Sequence, residues 1–195
     1  MKRYRLLVAL PVLGLLVGCG GMETDQADQS LKDGDRTTFA NDARPFKAAL
    51  DCELLINPDP AFVATRCPAN PAVPPADWVS TVVCKGDASH LGEAQFVGEH
   101  CARGFMYDGG KGVFTAANGD QVFSDYFGYT IGADFDEYGR PVMLYMQEVM
   151  TITGGDGRFD GATGSALNAV NVSIDHSGPF PLLSVQTTID GVLGY

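Results

Sequence analysis

The segment Thr151–Ser165, TITGGDGRFDGATGS, constrains this chain more than any other. Its glycine pair, Gly154 and Gly155, and the further glycines at Gly161 and Gly164 leave no room for a helix of any length, because glycine is costly in a helix interior. Strand-forming runs flank it, Val142–Thr153 ahead and Ala166–Asp175 behind. The pattern predicts a corner: a strand ends, a single turn closes, and the chain returns into the sheet. Such corners need positive φ values that glycine adopts at least cost. Phe159 stands where an apolar plug would fasten the corner to a core.

Further strand signals fill the chain from Trp78 onward. WVSTVVC at Trp78–Cys84 is rich in β-branched residues, and Leu91–Cys101 follows the turn-rich KGDASH. Val113–Ala117 and Gln121–Ile131 flank Asn118-Gly119, the strongest short signal for a two-residue hairpin turn. Leu182–Leu193 closes the series, and no amphipathic helical pattern interrupts it. So many strands separated by turns predict one all-β domain over 78–195, a barrel or a sandwich with one core.

The chain opens MKRYR, followed by the apolar run LLVALPVLGLLVG and Cys19. A basic start and a short apolar run describe a secretory signal over 1–18. That run falls short of the roughly 20 residues a membrane span needs. Leu16-Val17-Gly18-Cys19 resembles the lipobox of bacterial lipoproteins, which implies cleavage before Cys19 and lipid on its thiol and new amino group. Gly20, where an Asp would favour retention at the inner membrane, points to the outer membrane as the address. The membrane, reached through lipid on Cys19, is therefore one expected partner.

Residues 19–44 are polar and acidic and predict a flexible tether. Residues 45–77 form an extension in which Pro45–Leu55 suits a short helix. Asn57–Asp77 is an extended strap stiffened by prolines at 58, 60, 68, 71, 74 and 75. The formal net charge of −11 argues against nucleic acid, whose binding rests on Lys and Arg contacts to phosphate. Beyond Cys19, the cysteines Cys52, Cys67, Cys84 and Cys101 read as disulfides in an exported chain. Of the three connectivities, Cys52–Cys67 with Cys84–Cys101 closes the shortest loops and is the favoured expectation. A CxxC spacing is absent, and no metal or cofactor is expected.

Three turn-rich blocks carry a resemblance. GDASHLGE at 86–93, TAANGDQV at 115–122 and GGDGRFDGATGS at 154–165 resemble blocks of uncharacterised bacterial secreted lipoproteins. The last block is also similar to the GGTGRF corner of dirigent proteins, which share a barrel with allene oxide cyclase. Asp156 stands where that motif has Thr. The resemblance implies a small antiparallel up-and-down barrel of the calycin type with about eight strands. Its matching residues are turn residues, so it carries over no catalytic residue, and the plant reactions do not transfer.

Two alternations hold the candidate chemistry. The even positions Val142, Leu144, Met146, Glu148, Met150 and Ile152 set one acid among apolar neighbours. The odd positions Phe123, Asp125, Phe127, Tyr129 and Ile131 do the same. Side chains two apart share a face of a strand, so both acids are expected to point into the barrel as a shared site. Desolvated carboxylates have raised pKa values and can bind polar groups or transfer protons. Ser89 and His90 fit a turn better than a catalytic triad. Asp134–Gly139 only begins like a calcium loop, because Tyr138 and Tyr145 fill ligand positions.

Three functions fit this reading. The first is non-catalytic binding of a small apolar or amphipathic ligand, or a protein partner, by a lipid-anchored envelope protein. The second is an isomerase or cyclase acting on a hydrophobic substrate in the barrel. The third is a structural envelope protein with a filled barrel. A hollow barrel would set the third apart.

Overall fold

The structure, a computed structural model, describes residues 43–69, 71–178 and 181–195. The signal segment, the lipobox with Cys19 and most of the tether lie outside the described residues. Eight strands follow one another: β1 (Arg44–Asn57), β2 (Trp78–Ala88), β3 (Gly92–Arg103), β4 (Met106–Ala116), β5 (Gln121–Phe135), β6 (Pro141–Asp156), β7 (Thr163–Asp175) and β8 (Leu182–Gly194). Each pairs antiparallel with its chain neighbour, and β8 closes on β1, so the sheet is an up-and-down closed barrel. Closure pairs every strand edge.

The eighth strand corrects the reading of the extension. RPFKAALDCELLIN is strand β1, not a short helix, and the barrel therefore begins at Arg44 rather than Trp78. Its Ala, Leu, Lys and Glu tolerate helix, but its burial has period two. Phe46, Ala48, Leu50 and Cys52 are buried, while Lys47, Ala49 and Asp51 are exposed. Pairing with both β2 and β8 outweighs local propensity here.

The strap is only partly extended. A short helix α1 (Pro60–Arg66) interrupts it, with Asp59 accepting from the backbone N–H groups of Ala61 and Phe62 and Pro60 opening the first turn. Val63 of α1 and Cys67 pack against Val79 of β2 and Cys101 of β3 in a small cluster outside the barrel. Arg103, nearly buried, donates to the Pro74 carbonyl and pairs with Asp108 at 2.9 Å, fixing the rest of the strap.

The disulfides also differ from the favoured expectation: they join Cys52 to Cys84 and Cys67 to Cys101. Register explains the first, because Cys52 and Cys84 lie directly opposite on β1 and β2, both facing inward. The second ties α1 to the outer face of β3. Short-loop preference fails because the strap lets β1 and β2 meet along their length.

One end of the barrel is plugged. Phe46, Phe114 and Phe159 are fully buried there, with Phe46 and Phe114 edge-to-face at 5.6 Å. The glycine corner forms as expected: β6 ends at Asp156, one 3₁₀ turn spans Gly157–Phe159, and β7 resumes at Thr163. Gly157 has φ +68°, and any Cβ on it would overlap the Asp120 carboxylate, so both conformation and space demand glycine. Arg158 stacks over Phe159 at 4.8 Å, pairs with Asp120 and donates to the His90 carbonyl, linking three turns beneath the plug. The Asn118-Gly119 hairpin forms, but with a longer loop than two residues. Gly119 alone takes positive φ, and its N–H donates to the Ala116 carbonyl at 2.9 Å.

Candidate ligand-binding cavity

Above the plug the barrel is hollow. A cavity of about 700 Å³ is lined by inward positions of all eight strands and reaches the opposite end, where Ile56, Trp78, Phe105, Phe135 and Leu183 border it. One half of the wall is aliphatic: Leu50, Val82, Met146, Val170 and Val185 face in from β1, β2, β6, β7 and β8. The other half carries rings. Gly98, Gly112 and Gly128 point inward from β3, β4 and β5, and a Cβ on any of them would overlap a ring of Phe96, Tyr107 or Tyr126. Small residues on the wall thus make room for large rings inside it. A second concavity on the outer wall, bordered by Lys47, Asp87, Leu167 and Asp190, is more open to solvent.

A polar cluster interrupts the apolar lining midway. Glu148 of β6 is 8% exposed. The Tyr107 hydroxyl donates to its Oε2 at 2.8 Å, and Asn168 Nδ2 donates to its Oε1. Asn168 lies opposite Glu148 in the β6–β7 register, so adjacent strands supply the pair directly. Burial pushes the Glu148 carboxyl up to about 7, against the lowering effect of the two hydrogen bonds. The carboxyl can therefore gain or lose a proton near neutrality.

His100 of β3 stands beside this group. Its ring stacks on Tyr107 at 4.3 Å, and its Nδ1 shares a hydrogen bond with the Tyr126 hydroxyl at 3.2 Å. Burial lowers its pKa to about 4, so the imidazole is neutral at physiological pH. Burial, and next the charge of Glu148, raise both tyrosine hydroxyls, which stay protonated as donors. Among the described residues lining the cavity there is no Lys or Arg. Two polar atoms of the lining, Asn168 Oδ1 and Thr187 Oγ1, are buried without a hydrogen-bond partner.

The expected pairing of Asp125 with Glu148 does not occur. Glu148 faces inward as its alternation predicts, but Asp125 lies on the outer wall, its side chain 52% exposed and paired with Lys111 at 2.8 Å. The odd positions of β5 do share a face, but that face is the outer one. The inner face carries Val122, Ser124, Tyr126, Gly128 and Thr130. Alternation groups residues by face without saying which face is the core, and here the inner face is the less hydrophobic one.

The remaining candidates are structural. Ser89 Oγ accepts from the Lys47 N–H at 2.8 Å, and His90 Nε2 contacts the Pro45 carbonyl at 2.9 Å, so both hold a turn. Asp136 accepts from the N–H groups of Tyr138 and Arg140 and pairs with the Arg140 side chain, while Tyr145 donates to Asp134. The acidic hairpin loop is closed on itself. Among the described residues no group of three His, Cys, Asp or Glu side chains is placed to hold a metal.

Sequence reasoning passed over His100, Tyr107, Tyr126, Asn168 and Thr187. His100 had a signal, since it continues the inward alternation of Ala94, Phe96 and Gly98. No family model, curated protein or solved structure matches the chain significantly.

Proposed function

We propose that this protein is a lipid-anchored envelope protein whose barrel binds a small apolar or amphipathic ligand without converting it. The carrying observation is the cavity of about 700 Å³, mostly apolar along its walls, with a polar cluster around Glu148. Its size falls within the range of small-molecule sites, and a few convergent polar groups in an apolar pocket are what such sites use for orientation. A barrel filled by its own side chains would leave no such volume, which weighs against a purely structural role. The eight-stranded closed barrel and the three turn-rich blocks support kinship with dirigent-type calycin barrels as part of the same reading.

Binding is tested with Nile red, a neutral apolar dye, on the detergent-free exported chain carrying Cys19→Ala. Saturable, blue-shifted emission is expected, and a variant that fills the cavity, Val170→Trp, should abolish it without loss of fold. Unsaturable or absent emission from the folded wild-type barrel would remove the proposal. Anchoring rests on the signal and lipobox ahead of a polar tether. Metabolic labelling with a fatty acid should mark the wild-type protein in the outer-membrane fraction and leave the Cys19→Ala variant unmarked.

One observation favours a second reading. A carboxyl that titrates near neutrality, inside an apolar chamber beside a neutral imidazole, suits proton transfer to a hydrophobic substrate, as in an isomerase or cyclase. Glu148→Gln separates the two. It should retain Nile red binding under either reading, and only under the second should it abolish turnover of a bound substrate.

A further inference from the structure

We propose that the head group taken by the cavity is a neutral hydroxyl carried on an apolar body, held between Asn168 and Thr187. This deepens the binding reading and rests on it. Asn168 Oδ1 is fixed as an unpaired acceptor, because its Nδ2 is committed to Glu148. Thr187 Oγ1 is likewise buried without a partner and can both donate and accept. The β7–β8 register sets Asn168 opposite Ile189 and Val170 opposite Thr187, so Thr187 is the diagonal inward neighbour of Asn168. Diagonal inward neighbours are close enough for one small group to reach both. A hydroxyl satisfies the two together: its O–H donates to Asn168 Oδ1 while its oxygen accepts from Thr187.

Other heads fit less well. A carboxylate would bring a second negative charge beside Glu148 and offer Asn168 Oδ1 no donor, with no Lys or Arg in the lining to neutralise it. An ammonium can donate to Asn168 Oδ1 and to Thr187 Oγ1, but it leaves the Thr187 hydrogen without an acceptor. Glu148 would attract that charge, but an ammonium gives up more hydration than a hydroxyl on entering the apolar lining, and both carboxylate oxygens already accept from Tyr107 and Asn168. The aliphatic half of the wall, from Leu50 to Val185, takes the apolar body towards the open end.

The test is displacement of bound Nile red from the exported Cys19→Ala chain by 1-decanol, decanoate and decylamine at about pH 8, where the acid is ionised and the amine protonated. Decanol should compete about tenfold more strongly than either ion, as one further hydrogen bond would give, because each ion leaves part of the Asn168–Thr187 pair unmatched. Thr187→Val, which keeps the shape and removes the hydroxyl, should weaken decanol about threefold to tenfold relative to Nile red bound by the same variant, whereas Thr187→Ser should restore it. If decanoate or decylamine competes as well as decanol, or Thr187→Val binds decanol like the wild type, the assignment is overturned while the binding reading stands. If Nile red itself does not bind, the binding reading fails, and the head-group assignment falls with it.

Discussion

The Tyr107 hydroxyl reaches Glu148 Oε2 at 2.8 Å by crossing β5, with its ring lying over Gly128. Gly128 is also the register partner of Glu148 on β5. A donor on β4 therefore satisfies an acceptor on β6 only because the strand between them presents no side chain at the crossing point. The polar cluster and the inward glycines are one device. The glycine makes the space, the ring occupies it, and the phenol end meets a carboxylate that would otherwise be buried with a single donor.

Replacing Gly128 with Ala is expected to break that device. The added Cβ would overlap Cζ and Oη of Tyr107, so the ring must swing away from Glu148. Overpacking of this kind costs about 1–3 kcal/mol. The loss should be smaller in a Gly128→Ala, Tyr107→Ala double variant than the two single losses added together. Urea denaturation of the four proteins of the cycle checks it, and strict additivity would contradict the proposed contact.

Stability against pH should show two opposing slopes. The unfolded Glu148 carboxyl titrates near 4.5 and the folded one at about 7, so the folded state holds that proton more tightly. Its contribution is full below about 4.5 and is lost as pH rises to about 7. His100 runs the other way. Its value falls from 6.5 to about 4, so folding is disfavoured at acid pH and recovers as pH rises through that interval. Each swing amounts to roughly 3 kcal/mol, and over the shared interval they largely cancel. Glu148→Gln should leave a stability that climbs with pH, and His100→Gln one that declines. Urea midpoints across that range, parallel in the two variants, would rule this balance out.

The outer wall gives a contrasting expectation. Asp125 and Lys111 form an ion pair with side chains 52% and 77% exposed. Exposed pairs contribute between nothing and about 1 kcal/mol. Asp125→Asn should therefore leave both stability and Nile red binding close to wild type, whereas Glu148→Gln changes the pH profile. Loss of dye binding in the Asp125 variant would contradict the placement of this residue on the outside.

Period-two patterns and turn chemistry made an all-β domain legible, and the resemblance of the turn blocks pointed to a barrel. The corner around Phe159, the hairpin at Gly119 and the apolar phase of β6 all follow from residues close in sequence. What stayed hidden depends on partners far apart in sequence. β1 reads as ambiguous until β2 and β8 flank it. Phe123, Phe127, Tyr129 and Ile131 look like a core face, yet they point outward because Ser124 and Gly128 must face in to admit the rings of β3 and β4. Glu148 was found because it breaks an apolar row. Tyr107 and Asn168 escaped because each is an ordinary residue until the register brings it to Glu148.

The disulfides allow the register itself to be tested. Cys52 faces Cys84 across β1 and β2, whereas Cys67 ties the strap to Cys101 on the outer wall. Their sequence separations of 32 and 34 are nearly equal, so the chain-entropy model gives each bridge a similar contribution of about 3–4 kcal/mol. The consequences for the cavity should differ. Cys52 and Cys84 line it, so a Cys52→Ser, Cys84→Ser pair should lower stability and weaken Nile red binding. Cys67 and Cys101 lie outside the lining, so the corresponding pair of substitutions should lower stability while the folded protein binds dye as before. Connectivity is read from a non-reduced digest that cuts ahead of Asp77 as well as after Lys and Arg, separating all four cysteines. The peptide holding Cys52 should remain linked to that holding Cys84. A link from Cys52 to Cys67 would require β1 and β2 to pair differently, and the barrel register with them.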